Sequence, residues 1–161
     1  MRYVKLFSNL FFVFVLVISL SSVRLIKAQM NSEKRAVEAA NRSFYKAFSD
    51  ESMKEMDMVW SHDAYVRAIH PISKDILNGW KAVGGSWEAV FKQYKDIKIT
   101  ASNMVVHIEG NVAWVSDYEH FHAMSGKKIV KLEATATNMF VKKDGKWWMV
   151  FHQATVPVKM G

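Results

Sequence analysis

Residues 97–156 read IKITASNMVVHIEGNVAWVSDYEHFHAMSGKKIVKLEATATNMFVKKDGKWWMVFHQATV, and this stretch decides the fold. Its apolar residues recur with a period of two, the mark of strands with one buried face. Four long strands are predicted, Ile97 to Ile108, Val112 to His122, Lys128 to Val141 and Trp147 to Val156. Between them lie the turn signals Glu109-Gly110-Asn111, Ser125-Gly126 and Asp144-Gly145; the last is the strongest short hairpin cue. Turns this tight can only join antiparallel neighbours, so the four strands form a meander.

Upstream the period changes. Val37, Ala40, Phe44 and Phe48 make one stripe of a 3.6-residue helix, which Asn31 or Ser32 can cap. Ser52-Met53-Lys54-Glu55 reads as a capping box opening a short second helix, with Met53, Met56 and Trp60 along its core side. Tyr65 to His70 is β-prone and stops at Pro71; Val66, Ala68 and His70 share one of its faces. Asn78-Gly79 breaks the chain before a third helix that buries Trp80, Val83, Trp87, Val90, Phe91 and Tyr94. Gly84-Gly85 inside that helix costs about 1 kcal/mol per glycine relative to alanine. That cost points to close approach by a neighbouring backbone. Three helices, a strand and a four-stranded meander predict an α+β domain, with helices packed on one face of a curled sheet.

The chain has 161 residues, half of them apolar, enough for one domain with a real core. Its formal charge of +7 is inflated by residues 1–28, which hold Arg2, Lys5, Arg24 and Lys27 and no acid. Without those four, 18 basic residues face 15 acidic ones, a balance of +3 that gives no footprint for nucleic acid. Residues 1–28 read as a secretory signal peptide. Arg2 and Lys5 precede an apolar run from Leu10 to Leu20, and Ile26-Lys27-Ala28 offers a cleavage site. The run is short of the ~20 residues that span a bilayer. The expectation is therefore a mature domain of residues 29–161, exported to a periplasm or secreted, with no membrane attachment after cleavage; an uncleaved anchor is the alternative. The absence of cysteine excludes disulfides and a thiol nucleophile and points, for an exported chain, to a bacterial envelope.

Several short motifs, taken in order, resemble the SnoaL-like branch of the nuclear transport factor 2-like superfamily. They are Trp60-Ser61-His62-Asp63, Ile69-His70-Pro71, Asn78-Gly79, Ser86-Trp87, Val112-Ala113-Trp114-Val115, Ala136-Thr137-Asn138-Met139-Phe140 and Asp144-Gly145-Lys146-Trp147. The resemblance runs from about Val37 to Thr155. It implies a cone-shaped fold, a strongly bent sheet wrapped around a long helix with a pocket open at one end. It also implies a homodimer through the outer sheet face. That superfamily holds isomerases, dehydratases, hydrolases, cyclases and non-catalytic assembly domains, so the fold alone does not name a function.

Strand alternation suggests which groups face the pocket. Ala113, Val115, Asp117 and Glu119 share one side, as do Leu132, Ala134, Ala136, Asn138 and Phe140, and, on the last strand, Trp147, Met149, Phe151 and Gln153. Apolar rows ending in Glu119, Asn138 and Gln153 suit a greasy interior with polar groups near its mouth. With Tyr45, Trp60, Trp80 and Trp87 they make the expected ligand-binding set. His70 is the candidate catalytic residue. In the ketosteroid isomerase relatives an Asp before a Pro at the end of the first strand is the base, and His70-Pro71 resembles that position. Here His replaces Asp, and the polarising helix-one Tyr of those relatives best matches Phe44, with Tyr45 beside it. The imidazole of a histidine can still act as a base near neutrality.

His62-Asp63 suits a turn after the second helix. His120 and His122 share a strand face, but two ligands fall short of the three or four a zinc centre takes, so no metal is expected, and no cofactor. The Asn41-Arg42-Ser43 sequon lies mid-helix and is assigned no role. Three functions are compatible with this set: binding of a small apolar or aromatic ligand without chemistry; a cofactor-free lyase, isomerase or hydrolase with His70 as general base; and a non-catalytic dimerisation module.

Overall fold

A computed structural model describes the backbone of residues 2–157 and the side chains of residues 24–157. Most of the expected signal segment lies outside the described side chains. Helix α1 spans Arg2–Ser49, α2 Met53–Val59 and α3 Gly79–Gln93. The strands are β1 (Arg67–Ile69), β2 (Leu77–Asn78), β3 (Lys95–Glu109), β4 (Val112–Ser125), β5 (Lys128–Lys143) and β6 (Lys146–Thr155). By contacts the chain divides into two units, Met1–Arg35 and Ala36–Gly161, and the site described below lies in the second.

The expected meander is present, in one six-stranded sheet of order β2-β1-β6-β5-β4-β3. Its turns are the predicted ones, and at the last of them Asp144 (φ 50°) and Gly145 (φ 78°) are both left-handed, as a two-residue type I′ hairpin demands. β1 lies parallel to β6, with Ala68 opposite His152 and Ile69 opposite Gln153. That pairing carries His70, one residue past the strand end, to the side of β6. Gly79 (φ 76°) turns the chain from β2 into α3 and donates its N–H to the Val66 carbonyl at 2.8 Å.

The helices cover one sheet face around a core that includes Phe44, Met56, Trp60, Trp87, Phe140 and Met149, each no more than 1% exposed. Ring-on-ring contacts join the layers: Phe44 meets Trp60 at 6.3 Å and Trp87 at 5.5 Å, both edge-on, the arrangement ring quadrupoles favour.

Three local expectations need correction. α1 does not begin at Asn31 or Ser32, because no Gly or Pro stands between residues 2 and 49 to stop it. Gln29 instead bonds Glu33 one turn on. The capping box is half formed: Ser52 Oγ accepts from the Glu55 N–H, but the Ser52 N–H goes to the Ala47 carbonyl, and the Glu55 carboxylate pairs with Lys46. Finally, Gly84 lies under the Trp80 ring of its own helix rather than against a neighbouring backbone, and Gly85 faces open space. Gly85→Ala is therefore expected to stabilise the protein by about 0.5–1 kcal/mol, read as a higher denaturation midpoint.

Candidate functional site

Helix α1 places two polar residues four apart on its buried stripe, Asn41 (0% exposed) and Tyr45 (5%). Facing them are Asp117 and Glu119, on the inward row of β4, and Asn138, on the inward row of β5. The five form a closed network. Tyr45 Oη lies 2.8 Å from Asp117 Oδ1 and 3.0 Å from Glu119 Oε1. Asn41 Nδ2 donates to Asp117 Oδ2 at 3.0 Å, while Asn138 Nδ2 donates to Asn41 Oδ1 (2.8 Å) and to Tyr45 Oη (3.1 Å).

Proton counting fixes the charges. The phenol has one proton, and its shorter contact is to Asp117. Its contact with Glu119 is then a hydrogen bond only if the Glu119 carboxyl keeps its own proton and donates. Burial pushes Glu119 in this direction, up to about 7, with the nearby Asp117 carboxylate adding to it and the Tyr45 hydrogen bond opposing. Burial also raises Asp117, against its bonds from Tyr45 and Asn41, and burial and both carboxylates hold the Tyr45 phenol protonated.

A hollow of about 250 Å³ adjoins this network. Phe48, Trp87, Tyr94 and Phe121 supply aromatic wall, Ile99, Val130 and Leu132 aliphatic wall, and His70, Glu119 and His152 the titratable groups. A larger depression of about 450 Å³ lies along α1 and α2, but of its charged groups Lys46 and Glu55 pair with each other and Lys146 donates to the Met58 carbonyl. No described group of three or more metal-ligating side chains converges anywhere.

The two histidines are held in defined tautomers. His152 Nδ1 lies 2.7 Å from Asn138 Oδ1, an acceptor, because both amide hydrogens of Asn138 are committed elsewhere; Nδ1 therefore carries the proton and Nε2 does not. Ser86 Oγ donates to the Val83 carbonyl (2.6 Å), so it accepts from His70 Nε2 at 2.9 Å, which leaves Nδ1 of His70 bare. Neither bare nitrogen has a partner among the described residues. Burial lowers the pKa of both rings, that of His152 to about 3 with a further push from His70, so both are neutral at physiological pH. Their ring centres stand 6.4 Å apart, and Trp87 touches both.

Of the residues singled out in the sequence, His70, Trp87 and Glu119 line the hollow. Tyr45 and Asn138 sit behind it in the network. Trp60 is wholly core, and Trp80 packs on Trp60 and stacks on His62 at 4.9 Å, away from the hollow. Gln153 is exposed on the other sheet face. The cause is a register shift: Phe140 pairs with Met149 but Met139 with Phe151, so β6 carries one extra residue at Val150 and its alternation inverts. Val150, His152 and Ala154 become the inward row. Alternation alone could not show this, although the unbroken apolar run from Trp147 to Phe151 is the kind of pattern a bulge leaves. His152, Ser86, Asp117 and Asn41 are the site residues the sequence reading passed over; Asn41 is a fully buried network member, not a surface sequon. His62 and Asp63 face elsewhere, bonding Asp57 and Lys143. On the outer face His120 bridges Ser102 and Glu133 rather than pairing with His122.

Comparison with known proteins places this geometry in context. A candidate dehydratase of the NTF2-like family from Streptomyces avermitilis superposes with a TM-score of 0.74 at 19% identity, covering 80% of this chain and 99% of that one. A candidate calcium/calmodulin-dependent protein kinase type II association domain from Thiobacillus denitrificans gives 0.62 at 27% identity, over 75% and 94%. The F-box protein SKIP8 of Arabidopsis thaliana is 25% identical over 122 residues, 76% of this chain; the chain spans half the length of that relative. Residues 37–159 match the family model described as a SnoaL-like domain, and the chain belongs to that family.

Proposed function

We propose that the protein binds a small, largely apolar, aromatic ligand in the hollow between α1, α3 and the sheet. One observation carries this reading: an aromatic-walled space of about 250 Å³ lined by three titratable side chains, half-buried His70 just past β1 and buried Glu119 and His152 on β4 and β6. Four rings offer stacking area, and the few polar groups set orientation, the composition typical of small-molecule sites.

A second reading, cofactor-free lyase or isomerase chemistry, is favoured by the bare Nδ1 of His70. A neutral imidazole with a free lone pair is ready to take a proton, and the open Oε2 of Glu119 on the same hollow can hold a substrate hydroxyl. The Streptomyces neighbour, named as a candidate dehydratase, is in keeping with such chemistry.

The working form is proposed to be an exported homodimer. Export rests on the basic start and apolar run of residues 1–28. Dimerisation rests on the outer sheet face, where Val105, Trp114 and Tyr118 are 53%, 37% and 51% exposed and His107 stacks on Trp114. The third possibility, a pure dimerisation module, predicts the same dimer with an empty interior.

Native mass spectrometry of protein purified from its own host tests these points in one spectrum. The expected species is a dimer of chains starting near Gln29, each retaining a non-covalent ligand that is lost on activation. Chains beginning at Met1 would overturn export, a monomer would overturn the dimer, and ligand-free dimers would favour the dimerisation module. Incubating any ligand recovered with wild type and with His70→Asn separates binding from turnover: conversion by wild type alone supports the second reading.

A further inference from the structure

The three titratable groups of the hollow, His70, His152 and Glu119, share one property: the atoms they leave open to a ligand are hydrogen-bond acceptors without positive charge. The donors on its wall are the Tyr94 hydroxyl beside Gln93 and the Trp87 indole N–H, unpartnered among the described residues. His70 offers Nδ1 because its Nε2–H is spent on Ser86, whose own proton is spent on the Val83 carbonyl. His152 offers Nε2 because its Nδ1–H is spent on Asn138, whose amide is turned that way by Asn41 and Tyr45. The remaining oxygen of Glu119, Oε2, has no partner among the described residues, and its proton faces Tyr45. Among the described residues no lysine or arginine lines the space.

We propose that the hollow selects uncharged aromatic ligands that carry a hydrogen-bond donor, a phenol or an enol, and that His70 Nδ1 and His152 Nε2 are the acceptors that recognise it. The inference rests on the ligand-binding reading above and specifies its chemical class. An anion is disfavoured by elementary energetics: a carboxylate brought into this apolar space meets no cation, and an unpaired buried charge costs several kcal/mol. An acceptor-only ligand such as an ether or ketone fills the walls but leaves both imidazole nitrogens desolvated and unpaired, which costs about 1–3 kcal/mol per group. A hydroxyl removes that cost at one nitrogen or both. Because each tautomer is locked by a chain of committed donors, neither ring can turn an N–H toward the ligand without breaking a bond behind it. His152 is thereby assigned as a ligand-recognition residue beside His70.

The test uses four two-ring probes of nearly one shape: naphthalene, 2-methoxynaphthalene, 2-naphthol and 2-naphthoate, titrated into the purified full chain at pH 7 and followed by protein NMR. The expected order places 2-naphthol about 5- to 30-fold tighter than 2-methoxynaphthalene, the equivalent of about 1–2 kcal/mol, with 2-naphthoate weakest. His152→Phe and His70→Phe should each shrink the naphthol-to-ether ratio toward one. The ratio is taken within each variant, so a change in overall packing cancels, and either variant serves if the other does not fold. Naphthalene binding with a ratio of one overturns the inference and leaves the binding reading standing. Naphthoate binding as tightly as naphthol, or a full ratio retained by both variants, also overturns the inference alone. If no probe binds, the binding reading itself falls.

Discussion

Asn138→Leu is expected to cost the protein about 3–5 kcal/mol, far more than the loss of one amide would suggest. The side chain is fully buried and mediates three hydrogen bonds, to Asn41 Oδ1, Tyr45 Oη and His152 Nδ1. Leucine nearly conserves the volume, so no large cavity opens and the polar term dominates. What remains is an acceptor on Asn41 and a donor on His152, both enclosed and unpaired, each costing about 1–3 kcal/mol. Tyr45 keeps its bond to Asp117 but loses an incoming donor. These groups belong to one network, so the costs are not additive, and the middle of their summed range of about 2–6 kcal/mol is the expectation. Urea denaturation should show a lower midpoint at unchanged slope. A variant within 1 kcal/mol of wild type would mean that the network is not formed as described, and the histidine tautomers would lose their support with it.

The architecture was readable because it rests on repetition. Sixty residues of alternating polarity punctuated by glycine turns leave little besides a meander, and the Phe44–Phe48 stripe fixes which helix face meets it. The first strand was visible too, but its parallel seat beside β6 was not, since nothing local encodes which edge a three-residue strand joins. The site was legible only where alternation held. On β4 and β5 it held, which placed Asp117, Glu119 and Asn138 inward. On β6 a single extra residue exchanged Gln153 for His152. The sequence reading therefore had His70 without its companion. Asn41 was obscured differently: a polar residue on a buried stripe signals a partner across the core, yet its sequon suggested the surface. Tyr45 illustrates a further limit, because a phenol behind a pocket and one lining it occupy the same helix face and differ only in what stands opposite. Opposite Tyr45 stand two carboxylates, and the proton they compete for makes the interior electrostatically poised.

That poise predicts two large, opposed pH dependences in stability, each exposed by one substitution. Glu119 has a folded pKa of about 7 against an ordinary value of 4.5. Between those limits the folded chain holds a proton that the unfolded chain has released, so stability falls as pH rises through this window, by roughly 3 kcal/mol in all. His152 runs the other way. Its folded pKa is about 3 against 6.5, so below pH 6.5 the unfolded chain takes up a proton the folded one refuses, and stability falls as pH drops, by roughly 5 kcal/mol. The lowered His70 adds to the His152 trend and the raised Asp117 to the Glu119 trend. From pH 4.5 to 6.5 the trends offset, and wild-type stability should be nearly level. Glu119→Gln replaces the carboxyl with a permanent donor toward Tyr45, a mimic of the protonated acid. It should match wild type near pH 4 and exceed it by roughly 3 kcal/mol at pH 8, with stability rising between pH 4.5 and 6.5. His152→Gln keeps a donor for Asn138 and removes the titration; whatever its absolute stability, it should lose less than wild type on acidification to pH 4 and should decline from pH 4.5 to 7. Denaturation series across pH 3.5–8 read both slopes directly. If the Glu119→Gln curve runs parallel to wild type throughout, Glu119 is ionised in the folded protein, and the chain of committed protons that links it through Tyr45 and Asn138 to His152 does not exist.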